Sequence, residues 1–351
     1  MMQFEFAALP WQVIFGCGAL QRLPDELDKR ALTRALVLST PEQRNQAEQV
    51  SELIGARSVG IFDQAVMHVP VATVDAAQAM AASVNADCTV SIGGGSTTGL
   101  GKALALKSDL PNVAIPTTYA GSEMTNVWGM TEAGRKTTGR DNRVVPAFAI
   151  YDPELTLDLP AAMSGPSGLN AMAQAVVNVT AAEPNPIITA LALDGIRAIA
   201  TGLPTVVETP HDIGARSDVL YGACLCGAAL GVGITSLHHR LCHTLGGSFN
   251  TSHADTHAIL LAYSVAYNAE VAAEGTRRVA AALGAEDAAT GLFDLLHRVS
   301  GKTNLQHLGL AASDLDRAAD IATESPCSNP APVTRDGVRA LFERAFNGER
   351  P

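Results

Sequence analysis

The stretch from Val90 to Leu106, VSIGGGSTTGLGKALAL, decides how this chain is read. A β-rich apolar run stops at three glycines, and a serine then opens a run with helical spacing. Glycine lets the backbone approach a phosphate closely, and the first helical turn offers N–H donors with a favourable dipole. The turn Gly93–Ser96 therefore reads as a dinucleotide-binding turn in an α/β domain. A tight turn with no ligand is the alternative that residue types alone leave open. Lys102 sits one to two turns into the helix, where it reaches an anion or snorkels to solvent.

Similar punctuation continues on both sides of this segment. ALVLST (Ala35–Thr40) reads as a buried strand, followed by a polar, helix-favouring stretch from Pro41 to Ile54. RSVGIFD, CTVSIGG, NVAIPTT and VPAFAIYD read as further strands, with a helix from Val71 to Val84 among them. Strand–helix alternation of this kind implies a mostly parallel sheet with helices on both faces and ligands beyond its carboxyl ends. The strand NVAIPTT runs into IPTTYAGSEMT, which crowds Thr117, Thr118, Gly121, Ser122 and Thr125 at such an end. FGCGAL (Phe15–Leu20) also holds a GxG, but it precedes any βαβ unit and reads as a structural turn.

The texture changes after Asp152-Pro153. GLNAMAQAVVNVT, PIITALALDGIRAIATGL and the long segment from Ser217 to Gly246 have helical spacing, and no strand is convincing beyond Pro160. The expected organisation is an α/β dinucleotide-binding domain over residues 1–155 and an all-α substrate domain over 156–351, with the active site in a cleft between them.

Bulk properties narrow the function. With 351 residues, 47% hydrophobic and 17% charged, the chain is of the compact globular class. A net charge of -11 argues against nucleic acid, which requires clustered Lys and Arg. Six scattered cysteines form no CxxC pair and fit reduced thiols in a cytoplasmic protein. The most apolar stretch, Ala223 to Leu237, runs into His238, His239 and Arg240 and reads as a core helix rather than a membrane span.

Five of nine histidines fall between His238 and His257. His239 and His243 are four apart and share a helix face, as do Asn170 and Gln174 on an earlier helix, while His253 follows a GGSFN turn and can fold back. Such a cluster suits either a metal or acid–base chemistry, or simply a hydrogen-bonded core. The loop RKTTGRDNR (Arg135–Arg143) is either solvated or an anion contact through Lys136 and Arg140.

GGGSTTGLGK, IPTTYAGSEMT, IYDPELTLDLP, SGLNAMA and LHHRLCHTLGGSFNTSHADTHAI together resemble the iron-containing alcohol dehydrogenase superfamily, and within it the maleylacetate reductases most. The resemblance implies a Rossmann-like domain followed by a helical one. It places NADH or NADPH against Gly94, Gly95, Ser96, Thr117, Thr118 and Ser122. Thr40 stands where many members carry an Asp toward the ribose, which removes a reason to reject a 2′-phosphate. Lys136 lies in a stretch that the reductases share. Metal-dependent members use an Asp and a His where this chain has Asn170 and Gln174, with further histidines at His239 and His253. A carboxamide pair is a poor cation site, so no catalytic metal is expected. His243 is then the expected proton donor, with His239 and His253 binding oxyanion or carboxylate.

Other positions depart from the reductases. Gln174 replaces a His, AVVNVTAAEPNP lacks an acidic and an aromatic residue, and Cys327 and Ala331 in PCSNPAP replace a Tyr and an Arg. The leading expectation is thus a metal-independent NAD(P)H-dependent reductase of maleylacetate or a related oxo-dicarboxylate, a cytoplasmic homodimer. Alternatives are a diverged enzyme on a different, less anionic substrate in specialised biosynthesis, with or without net redox chemistry, and a non-catalytic nucleotide binder.

Overall fold

The computed structural model describes residues 3–133 and 135–351. The chain forms two compact units, one spanning Ala8–Leu159, the other Pro160–Pro351 together with the N-terminal residues through Ala7.

The first unit is built on six parallel strands. They are β1 (Val13–Phe15), β2 (Ala35–Leu38), β3 (Ser58–Phe62), β4 (Cys88–Gly93), β5 (Asn112–Pro116) and β8 (Phe148–Tyr151). Their spatial order is β1-β8-β5-β4-β2-β3, so the chain reverses direction across the sheet between β2 and β4. Ligands of such sheets bind at that reversal. The alternation of side chains explains the two-sided cover. Val37, Val90, Ile92, Val113 and Ile115 pack with Leu23 and Leu27 of α1 (Leu23–Asp28) and Val50 and Ile54 of α2 (Arg44–Ile54). On the opposite face Leu36, Leu38 and Phe62 pack with Val74 and Ala77 of α3 (Val71–Ser83) and Leu100 and Leu104 of α4 (Gly95–Ser108). Burying each large aliphatic side chain stabilises by about 1.5–3 kcal/mol.

Three features of this unit differ from expectation. Val13–Phe15 adds an edge strand ahead of FGCGAL; there Gly18 N–H and Leu20 N–H donate to the Asp152 carboxylate at 3.2 and 3.0 Å, which makes that turn structural. RKTTGRDNR is not a loop: Arg135–Arg140 forms β7, antiparallel to β6 (Val127–Glu132). Its basic, threonine-rich composition hides a strand because the pair stands outside the main sheet. Lys102 neither snorkels nor reaches an anion. It is buried, and its Nζ donates to the carbonyls of Ser122 (2.6 Å), Thr125 (2.7 Å) and Val127 (2.9 Å), with Thr125 Oγ1 at 2.9 Å. Burial lowers its pKa to about 7, opposed by Glu123.

The second unit contains α5 (Ala161–Val179), α6 (Pro186–Glu208), α7 (Ile213–Val232), α8 (Leu237–Phe249), α9 (His253–Asn268), α10 (Ala273–Leu283), α11 (Ala288–Val299), α12 (Asp314–Thr323) and α13 (Arg335–Asn347), with no strand among the described residues. Asn185 caps α6 by accepting from Ile187 and Ile188 N–H, and Asp212 caps α7 by accepting from Ala215 N–H. α6 is long and apolar enough to cross a membrane, but half of that stretch is buried, and it packs against α5 and α7. The apolar segment expected to continue as one helix through Gly246 breaks after Val232. Gly233 N–H is bonded to Leu230 O, and the next helix turns away by 100°. Asn178 holds the break, accepting from Ile234 N–H at 2.9 Å.

Helices α5 and α11 approach so closely that Gly165 has no room for a side chain, since a Cβ there would lie 1.9 Å from Val299 O. Gly165→Ala is expected to lower stability by about 1–3 kcal/mol, read as a reduced denaturation midpoint in urea. An unchanged midpoint would contradict this packing.

Candidate functional site

Residues singled out in the sequence gather in two places, one in each unit.

In the α/β unit they collect at the carboxyl ends of β2, β4 and β5, which are adjacent around the sheet reversal. Gly93 ends β4 with φ +142°, and Gly94 is the N-cap residue of α4, with no side-chain cap. The N–H groups of the first turn, from Gly95 onward, thus have no intrahelical acceptor. A Cβ at Gly93 would lie 2.4 Å from Gln43 Oε1 and 2.6 Å from Thr97 Oγ1, so both conformation and space demand glycine. Thr118 packs over Gly94, with its Cγ2 3.1 Å from where a Cβ would stand. Thr117 Oγ1 accepts from Gln43 Nε2 at 2.8 Å, and Thr40 Oγ1 stands 3.4 Å from Gln43 Oε1. Gln43 thereby links the ends of β2 and β5 across the turn. Sequence reasoning missed it; the available signal was a long amide three residues beyond Thr40. Ser122 is held through its carbonyl by the Lys102 clamp.

Among these residues, Thr40, Thr117, Thr118, Gly94, Gly95 and Ser96 share one neighbourhood. An open helix N-terminus, with hydroxyls at the strand ends around it, suits a dinucleotide pyrophosphate and ribose. Thr40 brings no carboxylate to the end of β2. The Lys136 side chain lies outside the described residues. Arg140 donates to Asn126 Oδ1 at 3.1 Å, and Arg143 pairs with Asp141 and Asp109 at 2.8 and 3.2 Å, so neither is an uncommitted anion contact.

In the helical unit, α8 carries His238, His239, Cys242 and His243, and α9 carries His253 and His257. The expected GGSFN turn is instead the last turn of α8. The reversal follows at Asn250, in the left-handed region with φ 54°, and brings the start of α9 back to α8. Four imidazoles cluster there, with ring centroids 4.9 Å apart for His238 and His257, 5.5 Å for His239 and His257, and 4.4 Å for His253 and His257. His238, His239 and His257 are buried, whereas His243 and His253 are exposed. Asn170 and Gln174 lie buried on α5.

His238 and His257 were not singled out from the sequence, yet they form the buried centre of the cluster. His238 Nε2 lies 3.0 Å from His257 Nδ1, and His238 Nδ1 lies 3.1 Å from Ser264 Oγ. Burial pulls the pKa of His238 down to about 3, and the neighbouring His253 and His243 add to that; burial takes His257 well below the usual histidine range too. The spacing H-x3-H in HADTH was the only sequence signal for His257.

Two side-chain sets bear on metal binding. Asn170, Gln174, His239 and His253 offer two neutral carboxamides and two imidazoles, with no anionic donor. The Asn170 Oδ1 atom is buried without a hydrogen-bond partner among the described residues, but it is only a neutral carbonyl oxygen. This set does not fit a tightly held divalent cation. His238, Cys242 and His257 place ligand atoms within 4.8 Å of one another. Burial raises the Cys242 pKa well above the ordinary thiol range, and His238 Nε2 and His257 Nδ1 already share a hydrogen bond. Without a metal, these side chains are joined to one another and to Ser264 by hydrogen bonds.

The substrate-side departures also have structural places. Val177 is buried, Asn178 holds the break between α7 and α8, and Thr180 Oγ1 donates back to Val176 O at 2.9 Å. The segment bearing Cys327 and Ala331 is tied to α8 and α9. Arg240 donates to Ser325 Oγ at 2.7 Å, Ser236 Oγ donates to Asn329 Oδ1 at 2.9 Å, and Asn329 and Asn268 exchange amide bonds at 2.7 and 3.0 Å.

Comparison with known proteins gives a consistent result. The iron-containing alcohol dehydrogenase pattern matches residues 10–153, and the pattern for the C-terminal part of that family matches residues 165–346. The chain is 51% identical over 351 residues to a maleylacetate reductase of Burkholderia cepacia, covering 100% of both chains. It is 50% identical to that of Sphingobium indicum, over 100% of this chain and 99% of the other. A crystal structure of maleylacetate reductase from Agrobacterium tumefaciens superposes with a TM-score of 0.97 at 47% identity, covering 100% of each chain.

The buried imidazoles make stability depend on pH. Their folded pKa values lie below the unfolded value, so below about pH 6.5 the unfolded chain binds more protons and stability falls as pH falls. Each ring contributes a slope of about 1.4 kcal/mol per pH unit in this window. Urea unfolding between about pH 6.5 and 5 should show this loss, reduced in His257→Asn. An equal slope in wild type and variant would contradict it.

Proposed function

We infer that this chain, which belongs to the iron-containing alcohol dehydrogenase family, is an NAD(P)H-dependent maleylacetate reductase that works without a catalytic metal. The observation that carries the substrate is full-length identity of about half to maleylacetate reductases from several bacteria. The donor set at Asn170, Gln174, His239 and His253 supports the metal-free reading.

The residues divide the work. The first-turn N–H groups from Gly95 to Thr97 hold the pyrophosphate, while Thr40, Thr117, Thr118 and Ser122 address the ribose and nicotinamide side, with Lys136 a further phosphate contact. When bound there, NADH or NADPH would supply the hydride for reduction of the substrate's ketone or alkene carbon. His243, exposed on α8, donates the proton to the developing oxyanion. His239 and His253 bind that oxyanion or a substrate carboxylate, and Asn170 and Gln174 offer neutral hydrogen bonds. With Thr40 at the ribose end, NADPH is accepted beside NADH. The enzyme acts as a cytoplasmic homodimer.

A second reading, a different and less anionic substrate, is favoured by one feature. Ala331 is buried and supplies no guanidinium where a dicarboxylate would otherwise be gripped.

Purified protein is expected to oxidise both NADH and NADPH when maleylacetate is added, followed by absorbance. His243→Ala should lower kcat by about 10²-fold or more with cofactor affinity retained. Cofactor binding without oxidation would move the assignment to the second reading. Wild-type turnover in the variant would remove His243 from proton donation.

A further inference from the structure

A neutral imidazole has one N–H donor and one lone-pair acceptor, so a chain of buried hydrogen bonds fixes which nitrogen carries the proton. The chain here starts at an atom that can only accept. Ser264 Oγ lies 2.8 Å from Leu260 O, so the single hydroxyl proton is donated to that carbonyl. Ser264 Oγ must then accept from His238 Nδ1 at 3.1 Å, which places the His238 proton on Nδ1 and leaves Nε2 a lone pair. The Cys242 thiol, 3.7 Å from His238 Nε2, is a further potential donor to that nitrogen. His257 Nδ1, 3.0 Å from His238 Nε2, must therefore be the donor. Its proton is used there, and His257 Nε2 is left as a bare acceptor. That atom is buried without a hydrogen-bond partner among the described residues, and it points away from His238. The nearest remaining ring is His253, one helical turn earlier on α9 and exposed.

We propose that Ser264, His238 and His257 form a positioning relay that fixes both buried rings as Nδ1–H tautomers and presents the His257 lone pair to His253. That lone pair is unpaired in the structure, and it takes up an N–H from His253 when the exposed ring turns onto it, which fixes the ring's orientation and directs its other nitrogen outward. His257 touches no substrate; it acts through His253. The proposal rests on the reading that His253 addresses the reacting substrate, but its tautomer content stands apart from that reading. Nδ1–H is the less common form of free neutral imidazole, so two such rings in series are a specific signature. No proton need move along the relay during turnover, because its role is to hold orientation.

Nitrogen NMR of the protein labelled at histidine tests the tautomers directly. The expected result is two neutral rings protonated on Nδ1 alone, assigned through their loss in His238→Gln and His257→Asn. Ser264→Ala should release His238 from that tautomer, and Ser264→Thr, which keeps the hydroxyl, should retain it. Ser264 lines a small cavity. A proton on Nε2 of either ring in the wild-type protein overturns the relay. In kinetics, Ser264→Ala is expected to lower kcat at least about tenfold with the KM for NADH unchanged, and Ser264→Thr to restore it. His257→Asn keeps a donor toward His238 but removes the distal acceptor, and should show the same fall in kcat. Correct tautomers with unchanged kcat in both variants would overturn the positioning role. A wild-type protein that shows the tautomers but does not reduce maleylacetate supports the relay and refutes the substrate assignment instead.

Discussion

A buried imidazole that must stay neutral is the constraint on which the helical unit's site depends. His238 and His257 sit where ionisation is unfavourable, and they bond each other and Ser264, with His257 Nε2 left over. Their hydrogen bond ties α8 to α9 across the reversal at Asn250. It also holds His239 and His253 beside the pair, one buried and one exposed. The exposed rings, His243 and His253, stand at the outer side of the cluster, where a substrate can reach them.

The α/β unit applies a different constraint to the same end. A sheet that reverses its order between β2 and β4 leaves an opening at the strand ends. Gly93 and Gly94 keep it open, while Gln43 and the Lys102 clamp fix the hydroxyl-bearing segments around it. Buried charge is used structurally here. Lys102 finds four oxygen acceptors at hydrogen-bond distance, which suits a protonated amine with three donors better than a neutral one with two.

Much of this was legible in the sequence, for physical reasons. Strands buried on both faces read as continuous apolar runs, and glycine at their ends marks turns, so β2 to β5 and the Gly93–Ser96 turn stood out. The pair β6–β7 did not, because a strand made of Arg, Lys, Thr and Gly has no apolar period to betray it. The break after Val232 was invisible since the residues beyond it remain apolar, and the stop depends on Asn178 from a distant helix. His239, His243 and His253 were legible by spacing and resemblance. His238 and His257 were not, because their role arises only when α9 folds back on α8. Lys102 looked like a surface or anion-binding lysine because burial beneath the Ser122–Val127 segment is a tertiary fact.

In the proposed function Asn170, Gln174 and the imidazoles His239, His243 and His253 take over the electrostatic role that a metal ion has in metal-dependent reductases. The most direct measurement is maleylacetate-dependent NADH oxidation by protein stripped with a chelator, with metal content determined in the same sample. Full turnover at far less than stoichiometric metal is the predicted result. Activity lost on stripping and restored only by added iron or zinc would contradict it.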